Sequence, residues 1–277
     1  LAEALKEAGY ATFAATDNLN ICAQEGFDAG FDRFANFRYE GAPRLNEALL
    51  DWAEEIRAAS SSFVYLHYMD PHGPYHPRAP WYEDWAEVEG DRLAAYDSEI
   101  RFVDEQLRAL LQALDLPGEV VIAVTSDHGE AFGEHGDEGH GTSLYEEQVH
   151  VPWILAGGEL GPGRVEAPVS TLDLAPTLLD LVGLEAPASW QGRSLAAVAA
   201  EPGRSWTPRP LYAHLYRADL QATPAGDPLL VRSLREGPWK YVLSSDVKPL
   251  LFDLSDDPAE RRPLARAESA RAEALRE

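Results

Sequence analysis

Leu93, Tyr96, Ile100, Val103, Leu107, Leu110 and Leu114 recur at alternating spacings of three and four, and the apolar run inside "EVVIAVTS" follows almost at once. A long one-sided helix delivered into a strand that is apolar on both faces fits one kind of architecture, a sheet covered by helices on each side. The same order repeats along the chain. "LAEALKEAG" reads as a helix closed by Gly9 and leads into the strand "YATFAAT". "RLNEALLDWAEEIRAA" sets Leu45, Leu49, Trp52 and Ile56 on one helical face ahead of the strand "SFVYLHYM". "VPWILAG" reads as a further buried strand, and "STLDLAPTLLDLVG" as a helix after a turn, ending at Gly183. The expectation is an α/β fold with a mostly parallel sheet sandwiched by helices, the stripe from Leu93 to Leu114 facing the core.

The pattern changes in the Pro-, Gly-, Ala- and Ser-rich stretch that follows Gly183. Beyond it "LYAHLYR", "LLVRSLRE", "WKYVL" and "LLFDL" are short strands separated by turn residues, which suits a small antiparallel sheet, and residues 263–277 read as a polar helix. This divides the chain into an α/β core over 1–185 and a linker with a C-terminal subdomain over 186–277. The formal charge of -24 repels nucleic acid and anionic membranes, so no nucleic-acid partner is expected. No apolar run has the length of a membrane span. A single cysteine, Cys22, excludes a disulfide framework and leaves the compartment open.

Chemistry-bearing residues concentrate where an α/β sheet builds its sites, in loops after strands. "YLHYMDPHGPYHP" carries His67, Asp70, His72 and His76, and "SDHGEAFGEHGDEGHG" carries Asp127, His128, His135 and His140, so two loops hold six of the eight histidines. Asp127 and His128 offer a carboxylate oxygen and an imidazole nitrogen at a strand tip, a mixture suited to a divalent cation. Each residue also has a plainer reading. Asp127 serves as a turn cap, His72 rides on a turn made by Asp-Pro and Gly-Pro, His140 is a solvated loop residue, and His67 is a core histidine. Asp137, Glu138, Glu146 and Glu147 read most simply as a solvated acidic face. The joint occurrence of both loops, in this order and after strands, favours a site.

These segments together resemble the sulfatases of the alkaline-phosphatase superfamily. The likeness runs through "FVYLHYMDPHGPYHP", "YDSEIRFVDEQLRALL" and "VTSDHGEAFGEHGDEGHGTSLYEEQVHVPWILAG", and continues in "GRSL" and "REGPWKYVL", with "GFDAGFDRF" similar to the segment after the nucleophile region. The resemblance implies that Asp127 and His128 are metal ligands, most simply for Ca²⁺, with Mg²⁺ or Mn²⁺ as alternatives. It implies that His72 contacts the sulfuryl oxygens or the leaving group, and that His140, beside the leaving oxygen, is the general acid. His135 receives no role. The substrate implied is a sulfated small molecule or glycan, and "HPRAPWYEDWAEVEG", with Arg78, Trp81, Tyr82 and Trp85, is a candidate sugar-facing loop or an ordinary loop with partly buried aromatics.

The sequence departs from the family pattern at the nucleophile. A formylglycine made from Cys or Ser in a Cys/Ser-x-Pro/Ala-x-Arg motif is implied, preceded by a first strand ending in paired aspartates that complete the metal site, and neither that motif nor such a strand is present. "CAQEG" has Gln24 and Gly26 where the motif needs Pro or Ala and Arg, so Cys22 receives no catalytic role, and "SWTPR" at Ser205 places its proline one position late. The expectation is a sulfuric ester hydrolase present as a fragment, about a hundred residues short at its N-terminus. Two other readings accompany it: a phosphodiesterase, phosphonate hydrolase or phosphoryl-group transferase of the same superfamily, and a catalytically silent metal- or anion-binding protein on the same fold.

Overall fold

The computed structural model describes residues 1–86, 90–221, 228–245 and 248–276. The chain divides into two units, Leu1–Val120 and Val121–Glu277. Glu87, Val88 and Glu89 of the candidate sugar-facing loop, and Glu277 of the expected terminal helix, lie outside the described residues.

In the first unit α1 (Ala2–Glu7) leads into β1 (Ala11–Thr16), followed by β2 (Arg33–Asn36), α2 (Ala42–Asp51), α3 (Ala53–Ala58), β3 (Ser62–His67), α4 (Trp81–Trp85) and α5 (Arg92–Leu114). β1 is central and pairs in parallel with β2 and with β3. The helix expected over residues 44–59 is interrupted at Trp52, whose backbone has φ -95 and ψ 2. Its apolar face survives the interruption. Leu45, Leu49 and Ile56 are buried against Phe13 of β1 and Leu110 and Leu114 of α5, with Trp52 packed alongside. Each such side chain contributes about 1.5–3 kcal/mol by leaving water.

The long stripe of α5 faces the core only in part. Leu110 and Leu114 are buried, whereas Leu93 and Ile100 are exposed and Ala94, Ala95, Ser98 and Glu99 are buried in their place. The reason is a polar contact that periodicity does not register. The loop after β3 lays its backbone on α5: His76 N–H donates to Glu99 Oε1 (2.9 Å), Arg78 N–H to Ser98 Oγ (3.0 Å) and Arg78 Nε to Glu99 Oε2 (2.8 Å). That docking sets which face of the helix is covered. Asp91 caps the helix by accepting from Ala94 N–H (3.0 Å).

The second unit contains β4 (Val121–Thr125), β5 (Ala131–Phe132), β6 (Glu138–Gly139), α6 (Glu146–Val149), β7 (Trp153–Gly157), α7 (Leu174–Leu181), α8 (Ala196–Ala200), β8 (Leu211–Gln221), β9 (Pro228–Glu236), β10 (Trp239–Ser244), β11 (Leu250–Asp253) and α9 (Ser269–Arg276). β4 and β7 pair antiparallel. Ile154 is 55% exposed, so β7 is not the fully buried strand its composition suggests. A capping box between Ser170 and Asp173 opens a 3-10 turn over Thr171–Asp173 that leads directly into α7. β8 to β11 form the expected antiparallel sheet in the order β11-β10-β9-β8. Leu229, Val231, Val242 and Phe252 of one face make a second core with Leu144 and Leu254.

Candidate functional site

The loop after β4 turns back on itself through the two-residue ladder of β5 and β6, in which Ala131 stands opposite Gly139. Continuing that antiparallel register by one residue sets Glu130 opposite His140. His140 Nδ1 lies 3.2 Å from Glu130 Oε2 and 3.4 Å from Oε1, and the Glu130 side chain is buried. His128 completes the cluster. Its ring stacks on that of His140 with centroids 3.9 Å apart, and donor atoms of His128, Glu130 and His140 all lie within 4.8 Å of one another. Asp127 is anchored locally by accepting from His128 N–H (3.0 Å), and Ser126 Oγ donates to the His128 carbonyl (2.6 Å).

The protonation of both rings follows from their partners. A carbonyl oxygen only accepts, so the 2.8 Å contact between His128 Nδ1 and the Gly129 carbonyl places the proton on Nδ1 and leaves Nε2 with a lone pair. A histidine that donates its other N–H to a backbone carbonyl is oriented to bind a cation. His128 Nε2 is 3.8 Å from Asp127 Oδ1. Two donors sharing one cation at about 2.0–2.6 Å each stand no more than about 5 Å apart, so this pair fits a common ion. By the same logic the Glu130 carboxylate holds a proton on His140 Nδ1 and directs chemistry to Nε2.

The loop is fixed from behind. Gly129 N–H donates to the Gln148 carbonyl (2.9 Å), and a Cβ on Gly129 would stand 2.1 Å from the Glu147 carbonyl oxygen, so only glycine fits there. His135 stacks on Tyr145 with centroids 3.7 Å apart, and its Nδ1 is 2.7 Å from Glu147 Oε1. Burial works against its charge, but the bond to Glu147 and the carboxylate's field prevail and raise its pKa. Glu146 and Glu147 are therefore not a solvated acidic face. Glu146 Oε1 is 2.9 Å from Lys240 Nζ and Oε2 is 3.1 Å from Arg235, while Lys240 Nζ also lies 2.9 Å from Glu260 Oε1. Burial pushes Glu146 up, and the charges of Lys240 and Arg235 outweigh it and hold its pKa below the usual range. Burial keeps Glu260 above that range despite Lys240.

His72 belongs to the first unit. Its Nδ1 is 2.8 Å from the Gly73 carbonyl, again leaving Nε2 as the reactive nitrogen. It lines a cavity of about 290 Å³ with Asp17, Asp70, His76 and Arg78. Asp17 is buried and accepts from the N–H groups of Glu40 and Gly41 (both 2.9 Å), and Asp70 accepts from Ala42 N–H (2.8 Å) and pairs with Arg78 at 3.2 Å. Burial raises the pKa of Asp70 against the pull of Ala42 N–H and Arg78. His67, half-buried, sits 3.3 Å through Nδ1 from the Tyr65 hydroxyl. The structure thus brings Asp127, His128 and His140 together and adds Glu130, which sequence reasoning passed over. The available signal was the Gly133–Gly136 turn, which folds Glu130 back onto His140.

Residues 1–184 match the family model described as Sulfatase, and residues 133–273 match one described as N-sulphoglucosamine sulphohydrolase, C-terminal. Arylsulfatase K of Mus musculus is 33% identical over 169 residues, 56% of this chain and 28% of that protein. Choline-sulfatase of Rhizobium meliloti (strain 1021) is 33% identical over 177 residues, 62% of this chain and 32% of that one. The chain thus spans about a third or less of the length of the curated relatives it matches. Among solved structures, BT1596, a 2-O GAG sulfatase, superposes with a TM-score of 0.73 at 20% identity, covering 99% of this chain and 71% of that one. Phosphonate monoester hydrolase of Agrobacterium radiobacter gives 0.77 at 19% identity, covering 99% and 78%.

Proposed function

Since the chain belongs to the sulfatase family, we propose that it serves the hydrolysis of a sulfuric ester, with Asp127 and His128 holding a divalent cation and His140 acting as general acid. The observation that carries this reading is the pair of imidazoles whose Nδ1 atoms are both engaged, one by the Gly129 carbonyl and one by Glu130, so that each Nε2 is the working nitrogen. A bound cation, Ca²⁺ in the first instance, supplies positive charge that binds and polarises the ester oxygens. Asp127 and His128 orient toward it the oxygen and nitrogen that stand 3.8 Å apart. His140 gives its Nε2 proton to the departing alkoxide: the N–H bond breaks as the O–H bond forms, and the neutral ring remains hydrogen-bonded to Glu130 through Nδ1–H. The resemblance gives the sulfuryl oxygens to His72, whose Nδ1 is engaged by the Gly73 carbonyl. The resemblance assigns attack on sulfur to a formylglycine, and no residue of this sequence stands in the motif that yields one, so that step is given to none of them.

A second placement of the cation is favoured by one observation, the approach of His128, Glu130 and His140 donor atoms to within 4.8 Å of one another. In that arrangement His140 is a ligand and not an acid. The function is tested with the protein made from the complete reading frame that contains this chain, assayed on an aryl sulfate, an aryl phosphate diester and an aryl phosphonate monoester, with and without a chelator. The expected result is the highest kcat/KM on the sulfate, lost on chelation. Preference for the phosphonate would move the protein to phosphoryl chemistry, and turnover of none would leave a binding protein on this fold.

A further inference from the structure

We propose that the outer face of β8 and β9 binds an oligosaccharide carrying isolated sulfate or carboxylate groups. Tyr212 and Tyr216 are 75% and 61% exposed, the most exposed of the large apolar side chains among the described residues. Both point to one side of β8, because residues an even number apart share a face, and four residues of strand separate them by about 14 Å. The opposite face of the same strands, with Ala213, Leu215, Leu229 and Val231, is packed into the second core, so the tyrosine face is the outward one. Between the rings, His214 stands directly opposite Arg232, while Leu234 and Leu230 stand opposite Tyr212 and Tyr216. The result is two flat, amphipathic rings with a guanidinium and an imidazole between them, in a chain of formal charge -24. On this face Glu236 is the one acidic residue among the described positions of β8 and β9, and it lies four residues of strand beyond Arg232. Sugar rings stack their C–H faces on tyrosine, and a guanidinium pairs with a single sulfate or carboxylate through parallel hydrogen bonds. The chain's overall negative charge disfavours a densely charged polyanion, which leaves a sparsely charged sugar chain as the partner that fits both features. Arg217, next to Tyr216 but on the opposite face of β8, donates to the carbonyl of Gly141 (3.1 Å), so the platform is a surface apart from the candidate site.

The inference concerns binding and stands whether or not the chain turns over an ester. Isothermal titration of the 277-residue chain with hexasaccharides from κ-carrageenan and chondroitin sulfate, and with the unsulfated agarose hexasaccharide, tests it, with sedimentation velocity run in parallel. The expected result is saturable binding of at least one sulfated hexasaccharide, weakened about tenfold or more by Tyr212→Ala and by Tyr216→Ala. Arg232→Gln is expected to remove the preference for a sulfated chain over agarose. Because all three side chains are surface groups, the variants keep the parent's melting temperature. Absence of binding to both sulfated hexasaccharides, or binding that ignores both tyrosines, overturns the proposal. So does a dimer that Tyr212→Ala disperses, which would give the face to a second copy of the chain.

Discussion

Replacing Lys240 by methionine keeps the aliphatic stem and removes a cation that touches both Glu146 and Glu260. The lysine is 2% exposed, and its Nζ is 2.9 Å from an oxygen of each carboxylate. At an effective dielectric of about 20, a unit charge pair about 3 Å apart attracts by roughly 5 kcal/mol, and the desolvation no longer spent on the ammonium offsets part of that loss. Glu146 retains Arg235 at 3.1 Å, whereas Glu260 keeps the Glu146 backbone N–H at 2.6 Å and loses its cation. Breaking such a buried pair costs about 3–5 kcal/mol. Acid relieves the cost. Burial already holds the Glu260 pKa above the ordinary carboxylate range, and loss of Lys240 moves it further up. A carboxylate with a raised folded pKa adds stability below its unfolded pKa and loses it as pH rises, so the variant suffers most at high pH. In the wild type Glu146 opposes this trend: held low by Lys240 and Arg235 against burial, it gives up its contribution as pH falls below the ordinary carboxylate range. Urea unfolding at pH 8 and pH 5 should therefore show a loss of about 3–5 kcal/mol that shrinks at the lower pH, with m unchanged. A loss under about 1 kcal/mol at pH 8, or one independent of pH, would refute the reasoning.

Three further outcomes follow from the same unit. His135, whose pKa is raised because its bond to Glu147 outweighs burial, contributes stability that is complete below about pH 6.5 and fades as pH rises through the folded value. The melting-temperature gap between wild type and His135→Gln should accordingly be wider at pH 5.5 than at pH 8.5. Gly129→Ala places a Cβ 2.1 Å from a backbone carbonyl and should destabilise by about 3 kcal/mol in urea titration, where a neutral result would show that the loop is free to shift. In ¹⁵N-edited histidine spectra, Nδ1 of His140 should carry a proton in the wild type, with or without the acid proton on Nε2, and should lose that preference in Glu130→Ala, whereas an Nδ1 without a proton in the wild type would separate Glu130 from it.

Periodicity located what depends on apolar burial. Leu45, Leu49, Ile56, Leu110 and Leu114 lie in the first core as their spacing implies, and the C-terminal strands pair as their length and turn residues imply. It failed where a polar contact decided the packing. Leu93 and Ile100 are exposed because Ser98 and Glu99 turn inward to hold the loop of His76 and Arg78, and no hydrophobic pattern carries that information. Glu146 and Glu147 were misread for the same reason, since their partners Lys240 and His135 are distant in sequence or reached across a turn. Asp127 and His128 lie just after β4, the strand-tip position their sequence context implies. Glu130, in the same motif, required the hairpin register that pairs Ala131 with Gly139.

The leaving-group dependence of His140→Ala tests the central assignment most directly. In the protein made from the complete reading frame, sulfate release is measured from an activated aryl sulfate and from an alkyl sulfate with a basic leaving oxygen. A general acid matters most when the departing oxygen is basic, so the variant should lose on the order of a hundredfold or more on the alkyl ester and far less on the aryl ester. Equal losses on both esters, accompanied by loss of bound cation, would contradict the account and make His140 a ligand alongside His128 and Glu130.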